Sequence, residues 1–191
     1  MTTEPSVRIR HKPVTQALHW LSFVCVSLAA LAITLRAFIE TSEDRKLLLA
    51  LHESAGILVL ALTLVRLIWR LVGGVGAVHS RFPRAARIGA TGGHTMLYFT
   101  LIALTLLGWL TGNAFGQRPR LFGVWPLPAL IERDRDLGDS LQAWHTDAAW
   151  VLLVLVLGHV TVALWHHFIW RDGVLTSMTP FRQASQIRTK K

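Results

Sequence analysis

Four long apolar runs dominate the sequence and limit what the chain can fold into. They cover about residues 14–38, 47–72, 94–112 and 144–170. Each is close to or longer than the roughly 20 residues that a helix needs to cross a bilayer. The acidic residues within them, Glu53 and Asp147, lie near the ends. Because a backbone in lipid must satisfy its own hydrogen bonds, and the runs lack the alternation of barrel strands, we predict transmembrane helices.

The charge balance first suggests another class of protein. Lys and Arg number 20 against 11 Asp and Glu, for a net charge of +9, which could indicate a nucleic-acid-binding protein. However, only 16% of the residues are charged, against about a quarter in soluble domains, and they crowd between the apolar runs. With 52% hydrophobic residues, a disordered chain is excluded as well. We therefore predict membrane lipid as the surroundings and no nucleic-acid partner.

The basic residues gather on one side of the predicted helices. The amino-terminal arm, the connection between the second and third runs and the carboxyl-terminal tail carry 13 Lys and Arg against two acids. The opposite side carries 7 basic and 9 acidic residues. The positive-inside rule then places both termini in the cytoplasm. The predicted fold is an all-α integral membrane protein, an antiparallel bundle of four transmembrane helices.

The connections complete a single predicted domain over residues 1–191. An outer loop is expected at about residues 113–143 and a cytoplasmic tail at 171–191. The loop contains the segment FGVWPLP, in which Pro126 and Pro128 exclude a regular helix. The first run is expected to be retained rather than cleaved as a signal peptide, since it is long and no small-residue cleavage site follows it.

Histidines lie in or beside the apolar runs, where ionisable residues are functional candidates. With both termini inside, His52 and His145 enter their helices from the outer side, whereas His19 lies near the inner side. His159 follows His145 by 14 residues, about 21 Å along a helix. Depth therefore predicts two pairs, His52 with His145 at the outer level and His19 with His159 at the inner level.

Helical phase agrees with this pairing. Fourteen residues turn a helix to within about 40° of a whole number of turns, so His145 and His159 face the same way. Two stacked histidine pairs predict two non-covalently bound haems b, since the chain has no CxxCH motif for covalent attachment. A zinc site would need three or four ligands at one depth. The other alternative is histidines that only form hydrogen bonds between helices.

Two arginines on the second run are candidates for binding haem propionates. Arg66 follows His52 by the same interval of 14 residues and therefore lies on its face near the inner edge. A guanidinium suits a carboxylate there, and Arg70, one turn further on, is a second candidate. The alternative is that both side chains extend to the membrane interface.

Four segments carry a resemblance to a known family. They are ALHWL, LHESAGILVLALTLVRLIWRL, GGHTMLYFTLIAL and WHTDAAWVLLVLVLGHVTVALWHHFIWRDGVLTSM. In this combination the chain resembles the bacterial cytochrome b561 family of four-helix dihaem membrane cytochromes, over about residues 11–180. The resemblance implies that His19, His52, His145 and His159 are the axial ligands of the haem irons. It also implies a multi-pass protein of the bacterial inner membrane.

The resemblance further implies a quinone as one redox partner. Some members oxidise superoxide to dioxygen at the outer face and reduce ubiquinone, and we expect this oxidoreductase activity first. The alternative is an electron-transfer subunit that links a periplasmic redox protein, a dehydrogenase or a hydrogenase to the quinone pool. A third possibility is a helical scaffold without haem.

Other histidines and charged residues are candidates for contact with the quinone and with the electron donor. His94, expected to begin the third helix, and His166, at the end of the fourth, are the candidates for proton exchange with a quinone. The alternative for both is a position in the aromatic belt of the membrane interface. On the outer side, superoxide could be steered by four basic residues, Arg45, Lys46, Arg118 and Arg120. Glu53 and other acids share that surface, which leaves the donor open.

Overall fold

The structure is a computed structural model that describes residues 13–73, 84–171 and 174–178. Four long helices account for most of these residues. They are α1 (Pro13–Arg36), α2 (Ser42–Leu71), α3 (Arg84–Ala114) and α4 (Arg135–Trp165). Each includes a stretch that is long and apolar enough to cross a membrane. The predicted all-α architecture with four transmembrane helices is confirmed.

Two helices extend beyond the apolar runs from which they were predicted. α3 begins at Arg84, ten residues before His94, and α4 begins at Arg135, nine residues before its apolar run. The start of α4 is set by Asp134, whose carboxylate accepts a hydrogen bond from the Leu137 amide at 3.0 Å. In both cases the helix continues through polar sequence, where hydropathy does not mark a helix. The outer loop is therefore shorter than the predicted 113–143.

The outward surface of the bundle is apolar and its helix contacts are made by small side chains. Phe99, Trp150 and Val154 are 73%, 64% and 68% exposed, as expected of side chains that face lipid. By contrast, Ala32 of α1 and Ala55 of α2 are each 2% exposed. Small residues let helix backbones approach closely, which is how helices associate in a membrane.

The bundle is built from two helical hairpins. α1 packs along α2, α3 packs along α4, and contacts between α2 and α3 join the two pairs. Within the described part of the chain, α4 has no comparable backbone packing against α1 or α2. We call the space between α4 and these two helices the interhelical seam.

The outer loop contains a two-stranded antiparallel hairpin that the sequence analysis did not predict. β1 (Arg120–Leu121) pairs with β2 (Trp125–Pro126). Phe122 and Gly123 have φ angles of 55° and 70°, and the Val124 amide donates to the Leu121 carbonyl at 3.1 Å. Two consecutive positive φ angles give the tight turn whose twist suits a hairpin.

At the inner end the chain reverses after α4. A π-helical turn (His166–Trp170) follows α4, and Arg171 then adopts the left-handed conformation with a φ of 50°. The short helix α5 (Val174–Ser177) comes next. The part of the predicted tail beyond residue 178 lies outside the described residues, as do residues 1–12 and 74–83.

Two hydrogen bonds hold the segment around α5 against α1. The side-chain amide of Gln16, which is 4% exposed, donates to the Ser177 carbonyl at 2.7 Å. The Trp20 indole donates to the Met178 carbonyl at 2.8 Å. The beginning of α1 and the chain beyond α4 therefore lie at the same end of the bundle, as an even number of crossings requires.

Candidate haem site

His52 of α2 and His145 of α4 meet across the interhelical seam at the outer level. Their ring centroids are 6.1 Å apart and their planes differ by 85°. His52 Nδ1 lies 2.9 Å from the Ala29 carbonyl oxygen, and His145 Nδ1 lies 3.0 Å from that of Leu104. Because a carbonyl oxygen only accepts, each Nδ1 carries the proton. Each Nε2 is then left with a lone pair that can bind a metal.

His19 of α1 and His159 of α4 form the corresponding pair at the inner level. Their ring centroids are 6.2 Å apart and their planes differ by 65°. The structure thus brings the four histidines together in the two pairs that depth and phase predicted. All four side chains are half-buried. Their role as haem ligands stays a prediction.

The spacing within each pair fits two imidazoles on opposite sides of one metal ion. Imidazole–metal bonds are about 2 Å long, so two imidazoles that share one ion would have ring centroids roughly 6 Å apart. The observed separations are 6.1 Å and 6.2 Å. Imidazole nitrogen is also a common ligand of haem iron. The donor set and its spacing therefore fit a haem at each level.

Two glycines that the sequence analysis missed shape the outer level. A Cβ atom added at Gly108 of α3 would lie 3.0 Å from His145 Cε1, so glycine lets this imidazole pack against α3. Gly56 lies one turn after His52 on α2, and a Cβ there would meet no atom within 4 Å. Open space beside His52 suits a flat macrocycle. An isolated glycine inside a helical pattern is the signal that could have found both.

Arg66 reaches the inner level from α2. Its guanidinium carbon lies 5.6 Å from the ring centroid of Tyr98 on α3, which is a cation–π contact. Arg66 follows His52 by 14 residues, the interval that separates His145 from His159, so it lies at the inner level. A cation held there fits the predicted contact with a haem propionate. Arg70 lies one helical turn after Arg66 on α2 and stays a second candidate. No pattern in the sequence pointed to Tyr98.

His94 lies deeper in the bundle than predicted. We expected it to begin the third helix, but it is the eleventh residue of α3, about 15 Å from the first. Its ring centroid is 5.6 Å from that of His159, and its Nδ1 lies 2.7 Å from the Ala90 carbonyl oxygen. The predicted placement at a helix start is corrected, because α3 continues through the polar residues that precede His94. His94 contacts the inner pair instead.

His166 lies in the π-helical turn, close to its predicted place at the end of the fourth helix. Its ring centroid is 4.5 Å from that of Trp170. It follows His159 by seven residues, which places it about 10 Å further toward the inner end. Departures from regular α-helix of this kind are frequent at functional sites. Contact between His166 and a quinone stays a prediction.

Open cavities at the outer end of the described residues contain both signs of charge. One of about 470 Å³ is lined by Glu53, Gly116, Gln117, Arg118 and Arg120. Another of about 380 Å³ is lined by Arg36, Glu40, Ser42, Arg45, Lys46 and Leu49. The first lies beside the outer histidine pair, because Glu53 directly follows His52. Arginines therefore stand next to the outer site, together with an acid.

The sequence is similar to a known protein family and to several of its named members. The sequence model of the family described as prokaryotic cytochrome b561 matches residues 10–181. Cytochrome b561 homolog 2 of Escherichia coli (strain K12) is 30% identical over 173 residues, which cover 88% of this chain and 90% of that protein. A Yersinia pestis protein named Probable superoxide oxidase CybB is 29% identical over 164 residues, covering 85% and 92% of the two chains. Cytochrome b561 homolog 1 of Escherichia coli (strain K12) is 28% identical over 167 residues, covering 87% and 94%.

Proposed function

The chain belongs to the prokaryotic cytochrome b561 family, and on this premise we propose that it carries electrons across the membrane between an outer donor and a quinone. The family is one of membrane electron-transfer proteins, and it implies haem b as the cofactor. For this chain we propose two haems b. His52 and His145 would hold the outer one, and His19 and His159 the inner one.

The main support for this proposal is that two histidine pairs, at two levels of α4, have nearly the same distance between ring centroids, 6.1 Å and 6.2 Å. Pairs 14 residues apart on one face lie about 21 Å from each other along the helix. The hydrocarbon core is about 30 Å thick, so the two levels together cover most of the crossing. Haem b, when bound, supplies a one-electron carrier at each level.

The protein's own groups orient and neutralise such a cofactor. The carbonyl groups of Ala29 and Leu104 fix the ring orientation of the outer histidines, since each accepts a hydrogen bond from an Nδ1–H. Arg66 would place a positive charge beside the propionates of the inner haem. The inward position of His166, beyond the inner pair, suits proton delivery to a quinone headgroup, and His94 is a second candidate through its contact with His159.

For the reaction itself we propose superoxide oxidation coupled to ubiquinone reduction. Two superoxide anions each lose one electron and become dioxygen, while one ubiquinone gains both electrons and two protons to become ubiquinol. The relative named Probable superoxide oxidase CybB supports this reaction. Arg118 and Arg120 line a cavity beside the outer pair, where they would attract a small anion.

The second candidate function is that of an electron-transfer subunit that receives electrons from a periplasmic redox protein, a dehydrogenase or a hydrogenase. The presence of Glu53 among the arginines of the outer cavity favours it. A surface with both signs of charge suits docking to a protein with the complementary pattern, whereas a uniformly positive surface would suit a small anion.

Purified protein in proteoliposomes that contain oxidised ubiquinone tests the proposal. Addition of a superoxide source should produce the absorption bands of reduced haem b and then ubiquinol, at a rate that falls as salt is added. His166→Ala should slow ubiquinol formation, and His167→Ala, in the same turn, is the matched control. A sample without haem b absorption would end both redox functions. Reduction by a protein donor but not by superoxide would favour the electron-transfer subunit.

A further inference from the structure

The outer hairpin presents an apolar surface that the proposed electron transfer does not use. Residues 122–131, with the sequence FGVWPLPALI, contain no charged side chain. At the hairpin tip, which we define as residues 121–125, Phe122, Val124 and Trp125 are 60%, 64% and 62% exposed. The Phe122 and Trp125 rings contact each other with centroids 6.2 Å apart. Contiguous apolar surface of this kind indicates a binding surface for lipid or protein.

The hairpin is attached to α2 at a level inside the apolar run of that helix. The Ser54 hydroxyl oxygen accepts a hydrogen bond from the Phe122 amide at 2.9 Å, and a Glu53 carboxylate oxygen accepts one from the Arg120 amide at 3.2 Å. Ser54 lies seven residues, or about 10 Å, inward of Leu47, where the apolar run begins. The attachment therefore holds the tip at the depth of the membrane interface rather than above it.

The tip continues the lipid-facing surface of α2. Leu47 and Leu51 precede Ser54 by seven and three residues, so all three lie on one side of the helix. Leu47 and Leu51 are 59% and 38% exposed. Lipid that covers these leucines would therefore also contact the hairpin tip, since the two form one continuous apolar surface. On its other side the loop is tied to α3, since the Trp109 indole donates to the Pro128 carbonyl at 3.0 Å.

The charged residues of the loop flank the apolar tip, and Arg120 directly precedes it. The charged residues of the loop are Arg118 and Arg120 before the tip and the acidic and basic residues from Glu132 onward. Both arginines line the open cavity beside Glu53. The loop is thus amphipathic, with a polar part at the cavity and an apolar tip. Such a division is typical of segments that lie in a membrane interface.

We propose that the hairpin tip inserts into the outer leaflet of the membrane. Trp favours the interface because its ring is apolar but carries an N–H donor, and Trp and Phe are both common on the apolar side of segments that lie in the interface. Ser54 and Glu53 directly follow His52, so the inserted hairpin covers one side of the outer histidine level with lipid and protein. An electron donor then approaches through the polar cavity. The insertion itself does not depend on haem or on the proposed reaction.

Site-directed fluorescence in lipid nanodiscs tests the insertion. The chain has one cysteine, Cys25, so Cys25→Ala provides a background in which Trp125→Cys can be labelled with the environment-sensitive dye NBD. The matched control is Glu132→Cys, an exposed position in the same loop. Nanodiscs of phosphatidylcholine and phosphatidylglycerol are prepared with and without lipids that carry a nitroxide on the acyl chain. Iodide serves as the aqueous quencher.

Insertion predicts a blue-shifted NBD emission at position 125 and severalfold stronger quenching by the nitroxide lipids than at position 132. Iodide should show the opposite preference. Val124→Cys provides a second position should Trp125→Cys reduce the yield of monodisperse protein. Equal quenching of positions 124, 125 and 132 by iodide, with none by nitroxide lipids, would overturn the proposal. The tip would then be a water-facing surface that is open to a soluble protein.

Discussion

His52 and His145 approach each other with ring centroids 6.1 Å apart, although α2 and α4, which carry them, do not pack closely in the described residues. His19 and His159 repeat this relationship between α1 and α4 at 6.2 Å. Separated backbones with facing imidazoles are what a metal-centred macrocycle between helices requires. The backbones of α4 and of α1 and α2 stay apart because close packing occurs within each helical hairpin, α1 with α2 and α3 with α4.

Alanine substitutions test the two pairs one level at a time. His52→Ala and His145→Ala should each lower the haem content per chain by about half, because a bis-histidine haem loses its hold when either ligand is removed. His19→Ala and His159→Ala should also lower it by about half and remove the other set of absorption bands. Haem content is measured from the pyridine haemochrome absorbance per mole of protein.

His94 provides the matched control for the inner level. Its ring lies 5.6 Å from that of His159, so it is a third imidazole close to the inner pair. If the pairs are assigned correctly, His94→Ala keeps the full haem content. A loss as large as that of His19→Ala would instead make His94 the partner of His159.

Two of the five glycines of α3, Gly108 and Gly92, offer a comparison in which only one substitution disturbs a proposed ligand. A methyl group at position 108 would lie 3.0 Å from His145 Cε1, whereas at Gly92 it would meet no atom within 4 Å. Both changes to alanine favour helix by about 1 kcal/mol. We expect Gly108→Ala to lower the occupancy of the outer haem or shift its reduction potential, and Gly92→Ala to change neither. A redox titration followed by absorbance measures both, and identical behaviour of the two variants would contradict the contact.

The histidine pairs could be predicted because charge asymmetry gives the direction of each helix, and sequence spacing then gives depth and helical phase. His145 and His159 belong to one continuous helix, so an interval of 14 residues determines both their separation and their common face. The position of His94 could not be predicted in this way. The start of α3 lies in polar sequence, where helical hydrogen bonds leave no mark in hydropathy.

Contacts between residues far apart in the chain could not be predicted from the sequence either. The attachment of the hairpin to Ser54 joins residues that are 68 positions apart, and no local pattern indicates it. Phe122 takes a positive φ of 55°, which its residue type disfavours. The pairing of the flanking strands and the Ser54 hydroxyl hold it there. Contacts of this kind, which stabilise a disfavoured backbone conformation, can be seen only in the three-dimensional structure.

Arg66 should raise the reduction potential of the inner haem. Reduction adds an electron, and a nearby cation stabilises the more negative state, so Arg66→Leu should lower that potential by on the order of tens of millivolts. Arg66→Lys keeps the charge and should restore most of it. Potentiometric titration of each haem band makes the measurement. A shift of the same size in both variants would mean that Arg66 acts through packing against Tyr98 rather than through its charge.

Gln16 should stabilise the inner end of the bundle through its bond to the segment after α4. Its amide donates to the Ser177 carbonyl at 2.7 Å, and both residues are buried. Gln16→Leu removes this buried hydrogen bond, which we expect to cost on the order of 1 kcal/mol. We expect a lower unfolding temperature in detergent and faster trypsin cleavage after the exposed Arg171. The control is Gln142→Leu at an exposed position of α4. Equal unfolding temperatures and cleavage rates for the two variants would show that the Gln16 bond contributes no stability, because only the Gln16 change removes a buried contact.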